Sequence, residues 1–300
     1  MRKILCFCLV LPLICCQIKA NELTEDYFDI AENYCIEGNY NEALGYLDKI
    51  LTIEPSNNKA KNLKTVILRI SSPQSISYLS SHNRQVRESV ELKKAGNKSK
   101  ELSILSNAVL SNPQNYWACY YLAEFYRANR DYNNALIYYQ KSLQIKPNFT
   151  QCYIDMAVVN LEKKSYNTAL QNINKYLETN RNADIAYAIR ARINLNSGNF
   201  NSAENDIKTA LKINEDISYR LLESKILFHK KDYEKARDKF EVLSKEIKTS
   251  EVYKYLGLCD YELGNYTNAL LNLDKAIILS DDDKALNLKY NEIKEKLEKR

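Results

Sequence analysis

Gly38-Asn39-Tyr40-Asn41-Glu42-Ala43-Leu44, Asp131-Tyr132-Asn133-Asn134-Ala135-Leu136, Ser165-Tyr166-Asn167-Thr168-Ala169-Leu170, Asn199-Phe200-Asn201-Ser202-Ala203, Asp232-Tyr233-Glu234-Lys235-Ala236 and Gly264-Asn265-Tyr266-Thr267-Asn268-Ala269-Leu270 are copies of one pattern. From Ala135 onward the alanines succeed one another at 34, 34, 33 and 33 residues, a regular period in the range of stacked repeats. Twelve residues before each alanine stands Ala31, Ala123, Ala157, Ala191, Ser224 or Gly257, and four after it Leu47, Tyr139, Ile173, Ile207, Phe240 or Leu273. Two small residues at this separation let antiparallel helices approach closely, and the residue four further on extends the same helical face. Each unit is therefore predicted to be a helical hairpin, with the aromatic of the pattern filling the space beside its turn.

The rest of the composition agrees. Of 300 residues, 45% are hydrophobic and 27% charged, but only 6 are Gly and 5 Pro, too few for the turns of a many-stranded sandwich or barrel. The chain is predicted to be all-α. Two His and one Trp leave little material for a histidine-based metal or catalytic site. There is no Gly-rich phosphate loop, GxSxG elbow, HExxH helix or carboxylate-rich calcium loop. Ser56-Asn57-Asn58-Lys59 matches SxxK formally, yet a Ser that follows Pro55 and precedes a helix reads as a cap. No catalytic residue, metal site or cofactor is expected, and an enzyme is disfavoured.

Arg2 and Lys3 precede an uncharged run, Ile4 to Cys16, of 13 residues. That is short for a bilayer span and suits the apolar region of a secretory leader. Residues 1–20 read as a signal peptide cleaved after Ala20. In a second reading, Leu13-Ile14-Cys15-Cys16 is a loose lipobox that makes Cys16 a lipidation candidate and the only route to a membrane. Either way export is expected, to a periplasm or envelope. Loss of residues 1–20 removes Arg2, Lys3 and Lys19 and takes the formal charge from +5 to +2. Acids and bases are interleaved, so the basic patch that a phosphate backbone requires is missing, and nucleic acid is not an expected partner. Outside the leader, Cys35, Cys119, Cys152 and Cys259 form no CxxC pair and lie in apolar helical stretches, which suits small buried side chains better than metal or redox chemistry.

With Pro55, Pro113 and Pro147 ending three units, the small, aromatic and apolar pattern resembles the tetratricopeptide repeat family. The resemblance covers residues 24–57, a degenerate unit at 82–115 in which Glu101 takes the alanine's place, and five units over 116–283. Residues 58–81 break the phase and read as an irregular helix and joint; residues 284–300, with Leu286, Tyr290, Ile293 and Leu297 on one stripe, read as a capping helix. The resemblance implies a right-handed superhelical solenoid of antiparallel hairpins whose first helices line an inner groove.

Carried over unit by unit, the resemblance places Trp117, Tyr120 and Arg127, then Ile154, Val158 and Leu161, then Arg192 beside Ile185, then Leu221, Lys225 and Phe228, and finally Tyr261 on that groove. Their apolar and aromatic character suits protein or peptide segments with apolar anchors. The expected function is an exported protein-interaction scaffold, within an envelope-assembly complex. The alternative is a glycan-binding or enzyme-associated accessory module, which would show exposed aromatics ringed by Asp, Asn and Glu.

Overall fold

The computed structural model describes residues 23–36, 39–69, 81–280 and 283–298; the predicted leader, with Cys16 and Ala20, and the Ser71–Ser75 turn lie outside them. Every regular element among the described residues is an α-helix. The chain divides into two compact units, Met1–Asn148 and Phe149–Arg300. The first holds α1 (23–36), α2 (Tyr40–Ile53), α3 (Asn58–Arg69), α4 (Ser81–Lys94), α5 (Lys98–Ser111), α6 (Tyr116–Ala128) and α7 (Tyr132–Ile145). The second holds α8 (Gln151–Glu162), α9 (Tyr166–Thr179), α10 (Asp184–Asn196), α11 (Phe200–Ile213), α12 (Ile217–His229), α13 (Tyr233–Glu246), α14 (Ser250–Glu262), α15 (Tyr266–Ile278) and α16 (Lys284–Glu298). In the first unit α3 packs on α2, and α4 to α7 form two successive hairpins; in the second unit each helix packs on the next from α8 to α16.

Three local devices make the hairpins. The turn between paired helices holds one residue in the left-handed region: Gly96, Arg130, Lys164, Gly198, Lys231 or Gly264. The next residue's N–H then reaches back to a carbonyl of the first helix, as Asp131 does to Tyr126 and Asn265 to Asp260 at 2.9 and 2.8 Å. Side-chain caps start several helices: Asn97, Asn115 and Asp131 accept from the N–H three residues on. Pro55, Pro113 and Pro147 each stand two residues past a helix end, but α9, α11 and α13 stop at the equivalent place before Arg181, Glu215 and Lys248, so the repeat geometry ends the helix without proline.

The third device is the crossing of small residues. Ala123 and Ala135, Ala157 and Ala169, Ala191 and Ala203, and Ser224 and Ala236 are all fully buried. At Gly257 a Cβ would lie 2.8 Å from Cγ of Leu273 and 3.0 Å from the Ala269 carbonyl oxygen, so α14 and α15 are closer than an alanine permits. In the degenerate unit the same crossing pairs Ser89 with Glu101, and both are buried. Burial raises the Glu101 carboxyl above its ordinary range, against the pull of Lys93 and Lys98. At the end of the chain Leu286 and Ile293 enter a core with Ala269, Leu273 and Ala276, with Tyr290 packed against it, which bears out α16 as a cap. Leu297 stays on its exposed rim. The four cysteines of the described residues are free and buried.

Candidate functional site

The first helix of each hairpin is the element on which binding residues were expected, and the two units are described separately. In the first unit, Trp117 is 3% exposed and lies in an aromatic nest on α6: Tyr116, Tyr120 and Tyr121 stand 5.3, 5.9 and 6.0 Å from its ring. What covers it is α1. Tyr116 donates its hydroxyl to Asp29 at 3.1 Å, Tyr121 donates to Asn33 at 3.1 Å, and Lys146 pairs with Asp29 at 2.8 Å. The indole N–H of Trp117 faces Glu32. Burial and neighbouring Asp29 raise the Glu32 carboxyl, with Trp117, Lys146 and Lys59 pulling the other way. Burial, followed by Asp29 and Glu32, also raises the Tyr116 hydroxyl.

Arg127 is held within its own helix. It grips Glu124 with two bonds, at 2.8 and 2.6 Å, while Tyr139 donates to the same carboxylate. Burial opposes ionisation of Glu124, but these hydrogen bonds outweigh it and leave the carboxyl below its ordinary range. Tyr120 is half-buried between Trp117 and Tyr139.

In the second unit, Ile154 and Leu161 are 5% and 6% exposed and share a core with Ala157, Ala169, Ile173, Ala186 and Ile193. They stack α8 on α10 and offer no free surface. With Trp117, which α1 covers, they correct the sequence expectation: an inner position packed against another helix has no free face for a partner. Leu221 and Phe228 are half-buried against the core around Leu227 and Phe240, and Phe228 meets Tyr233 and Tyr255 edge-on at 5.5 and 5.2 Å. Lys225 pairs with Glu251 at 2.7 Å. Tyr261 lies under α16, with Lys289 4.2 Å from its ring centroid and Lys296 as a hydrogen-bond donor.

Three residues keep an open face. Val158 is half-buried, Arg192 is exposed, and Ile185, one turn pair before Arg192 on α10, is 53% exposed. Apolar surface beside an exposed guanidinium can hold an aliphatic side chain and a carboxylate together. No group of three or more His, Cys, Asp and Glu side chains suited to a metal occurs among the described residues. No helix of these residues is long and apolar enough to cross a membrane.

Sequence reasoning missed Asp29, Glu32 and Asn33 on α1, and Tyr116, Tyr121 and Lys146 opposite them. Their only trace in the sequence is a polar i, i+3, i+4 face on a helix whose other face carries Ala31 and Cys35.

Comparison with known proteins agrees with this geometry. Residues 34–70 match the Fis1 C-terminal tetratricopeptide repeat, and residues 116–149 and 185–217 match the tetratricopeptide repeat itself. No curated protein matches the chain. Among solved structures, a tetratricopeptide repeat protein from Parabacteroides merdae is 16% identical, with a TM-score of 0.55 over 91% of this chain and 98% of that one. Cut9–Hcn1, from an APC/C hetero-tetramer, is 14% identical, with a TM-score of 0.63 over 84% of this chain and 52% of that one. YrrB, described as having an unusual peptide-binding site, is 19% identical, with a TM-score of 0.50 over 63% of this chain and 97% of that one. At these identities the likeness is one of fold.

Proposed function

We propose, on the premise that the chain is an array of tetratricopeptide repeats, that it is an exported scaffold that binds protein segments along the first helices of its hairpins. The repeats and their structural neighbours support protein–protein interaction as the general role. Export rests on residues 1–20, with Cys16 as the alternative point of attachment, and leads to a role in an envelope-assembly complex. Intact mass of the purified chain tests it: a species that still begins at Met1 defeats both forms of processing.

The observation that carries the binding site is on α10. Ile185 and Arg192 are seven residues apart, two turns of the same face, and both are exposed. A large aliphatic left open beside a cation that pairs with no acid among the described residues is a recognition pair for an extended or helical segment with an apolar anchor and an acidic flank. Val158 and the half-buried edge of Leu221 extend the apolar part. Lys225 and Tyr261, engaged with Glu251 and α16, are proposed to shape the face rather than to bind.

A photo-crosslinking residue at Ile185 should trap a protein partner, and the same residue at Lys175, exposed on second helix α9, should not. Equal yields from both positions would remove α10 from the account. The glycan-binding alternative is weaker because the aromatics expected to bind, Tyr120 in the first unit and Phe228 and Tyr261 in the second, are engaged by neighbouring rings or by α16.

A further inference from the structure

Two hydrophobic clusters stand out among the described residues of the first unit. Ala31, Cys35, Ala43, Leu47, Ile50, Ala60 and Ile67 make one, built from α1, α2 and α3 alone. Leu105, Leu122 and Phe125 make another, on α5 and α6. The contacts of α1 with α6 and α7 include polar ones, Asp29 with Tyr116 and Lys146 and Asn33 with Tyr121, with Glu32 close to the Trp117 indole. Such a junction resembles a transient interface more than a domain interior. Between α2 and α4 the Tyr40 hydroxyl and one Arg87 nitrogen, which meet in a cation–π contact at 5.5 Å, are buried without hydrogen-bond partners among the described residues.

The chemistry of the two sides differs. From α6 and α7 come an ammonium and two tyrosine hydroxyls acting as donors, beside the Trp117 indole; from α1 come the Asp29 carboxylate and the Asn33 amide oxygen acting as acceptors, with the Glu32 carboxyl close to the indole. We propose that Tyr116, Trp117, Tyr121 and Lys146 form a recognition surface for a partner's amphipathic helix that carries carboxylates at i and i+3, and that α1 is the intramolecular occupant of this surface with which such a helix competes. The surface lies in the first unit and is independent of the face proposed on α10. Apolar α1 residues Ala31 and Cys35 face α2, so α1 can leave α6 without exposing its own core.

Trp117 is the only tryptophan of the chain, so its fluorescence reads this junction alone. In the full-length protein, Asp29→Lys with Glu32→Lys should red-shift the emission and raise acrylamide quenching at least threefold, with far-UV circular dichroism unchanged. A labelled peptide of residues 23–36 with Cys35→Ser should then bind this variant at least tenfold more tightly than the wild-type chain, and the same peptide with lysine at 29 and 32 should not bind. If the double reversal lowers helicity, Asp29→Asn with Glu32→Gln replaces it and must show the same ordering. An indole that stays shielded with helicity intact overturns the proposal. So does equal peptide affinity for variant and wild type, or dimerisation of the wild-type chain through exchange of α1, which would make a second copy the occupant.

Discussion

Arg237, on α13, donates its Nε–H across 2.8 Å to the carboxylate of Asp260, a residue of α14 that is 1% exposed. Asn272 completes the site by donating to the same carboxylate at 2.9 Å. Two hairpins earlier the arrangement recurs with acid and amide exchanged: Asn194 donates to Asp206 at 3.0 Å, and Arg190 grips Asp206 at 3.0 and 2.6 Å. In both pairs the partners are twelve residues apart, like the small residues of the crossing, so one acid and one amide at the hairpin interface can trade places.

Removing the cation alone should be costly. Arg237→Met removes the cation from the buried Asp260 carboxyl, leaving it the Asn272 amide, and should destabilise the second unit by about 3 kcal/mol. Denaturant melts of Arg237→Met, Asp260→Asn and the double variant form the check, with the double variant losing less than the two single losses combined. Asn172 stands where Asp206 and Asn272 stand, but its buried amide nitrogen has no partner. Asn172→Leu should therefore cost less than about 1 kcal/mol.

At Gly257 the helices leave no room for a side chain. Gly257→Val places a Cβ within 2.8 Å of Leu273, which is itself fully buried, and should cost about 3 kcal/mol through overpacking. Because each hairpin touches mainly its neighbours, hydrogen exchange should rise first around α14 and α15. Loosening spread evenly over 149–300 would contradict this.

Three hairpin turns hold a side chain at positive φ, and Lys164, at φ 58°, is one of them. Equivalent turns use Gly198 and Gly264. Lys164→Gly relieves a left-handed conformation that costs an L-residue about 1 kcal/mol, while glycine adds unfolded-state freedom. The net expectation is a gain of about 0.5 kcal/mol in a urea melt. A loss of more than 1 kcal/mol would mean that the lysine side chain holds the turn.

Two glutamates should give the two units opposite pH responses. Glu204 is lowered to about 2 from its ordinary 4.5 by hydrogen bonds from Lys208 and Lys230. Its contribution is present above pH 4.5 and is lost as the pH falls toward 2. Glu101 is raised by burial, so its contribution is complete below pH 4.5 and is lost as the pH rises through the raised value. Glu101→Ala restores the small residue of the repeat and should stabilise the first unit by about 1 kcal/mol at pH 7, with the gain shrinking at pH 4. Native-state hydrogen exchange at the two pH values, read separately in α5 and α11, decides both.

Much of this fold is legible in one chain because a repeat states its instructions several times over. The period of 33 to 34, the small pairs Ala157–Ala169 and Ser224–Ala236, and the polar stop before each aromatic determine hairpins by local sterics and helix periodicity alone. The cap on α16 follows from the same periodicity. What periodicity cannot express is which inner residue meets solvent and which meets the next hairpin. Trp117 and Ile185 hold the same repeat position, six before Ala123 and Ala191, yet Trp117 is buried under α1 while Ile185 is open. Nor does any local pattern bring Asp29 to Tyr116 or Asn33 to Tyr121, residues 87 and 88 positions apart. Helix phase and crossing are determined by residues three, four and twelve apart, which the sequence by itself displays. The covering of Trp117 by α1 depends on contacts between residues far apart in the sequence, and tertiary structure alone decided it.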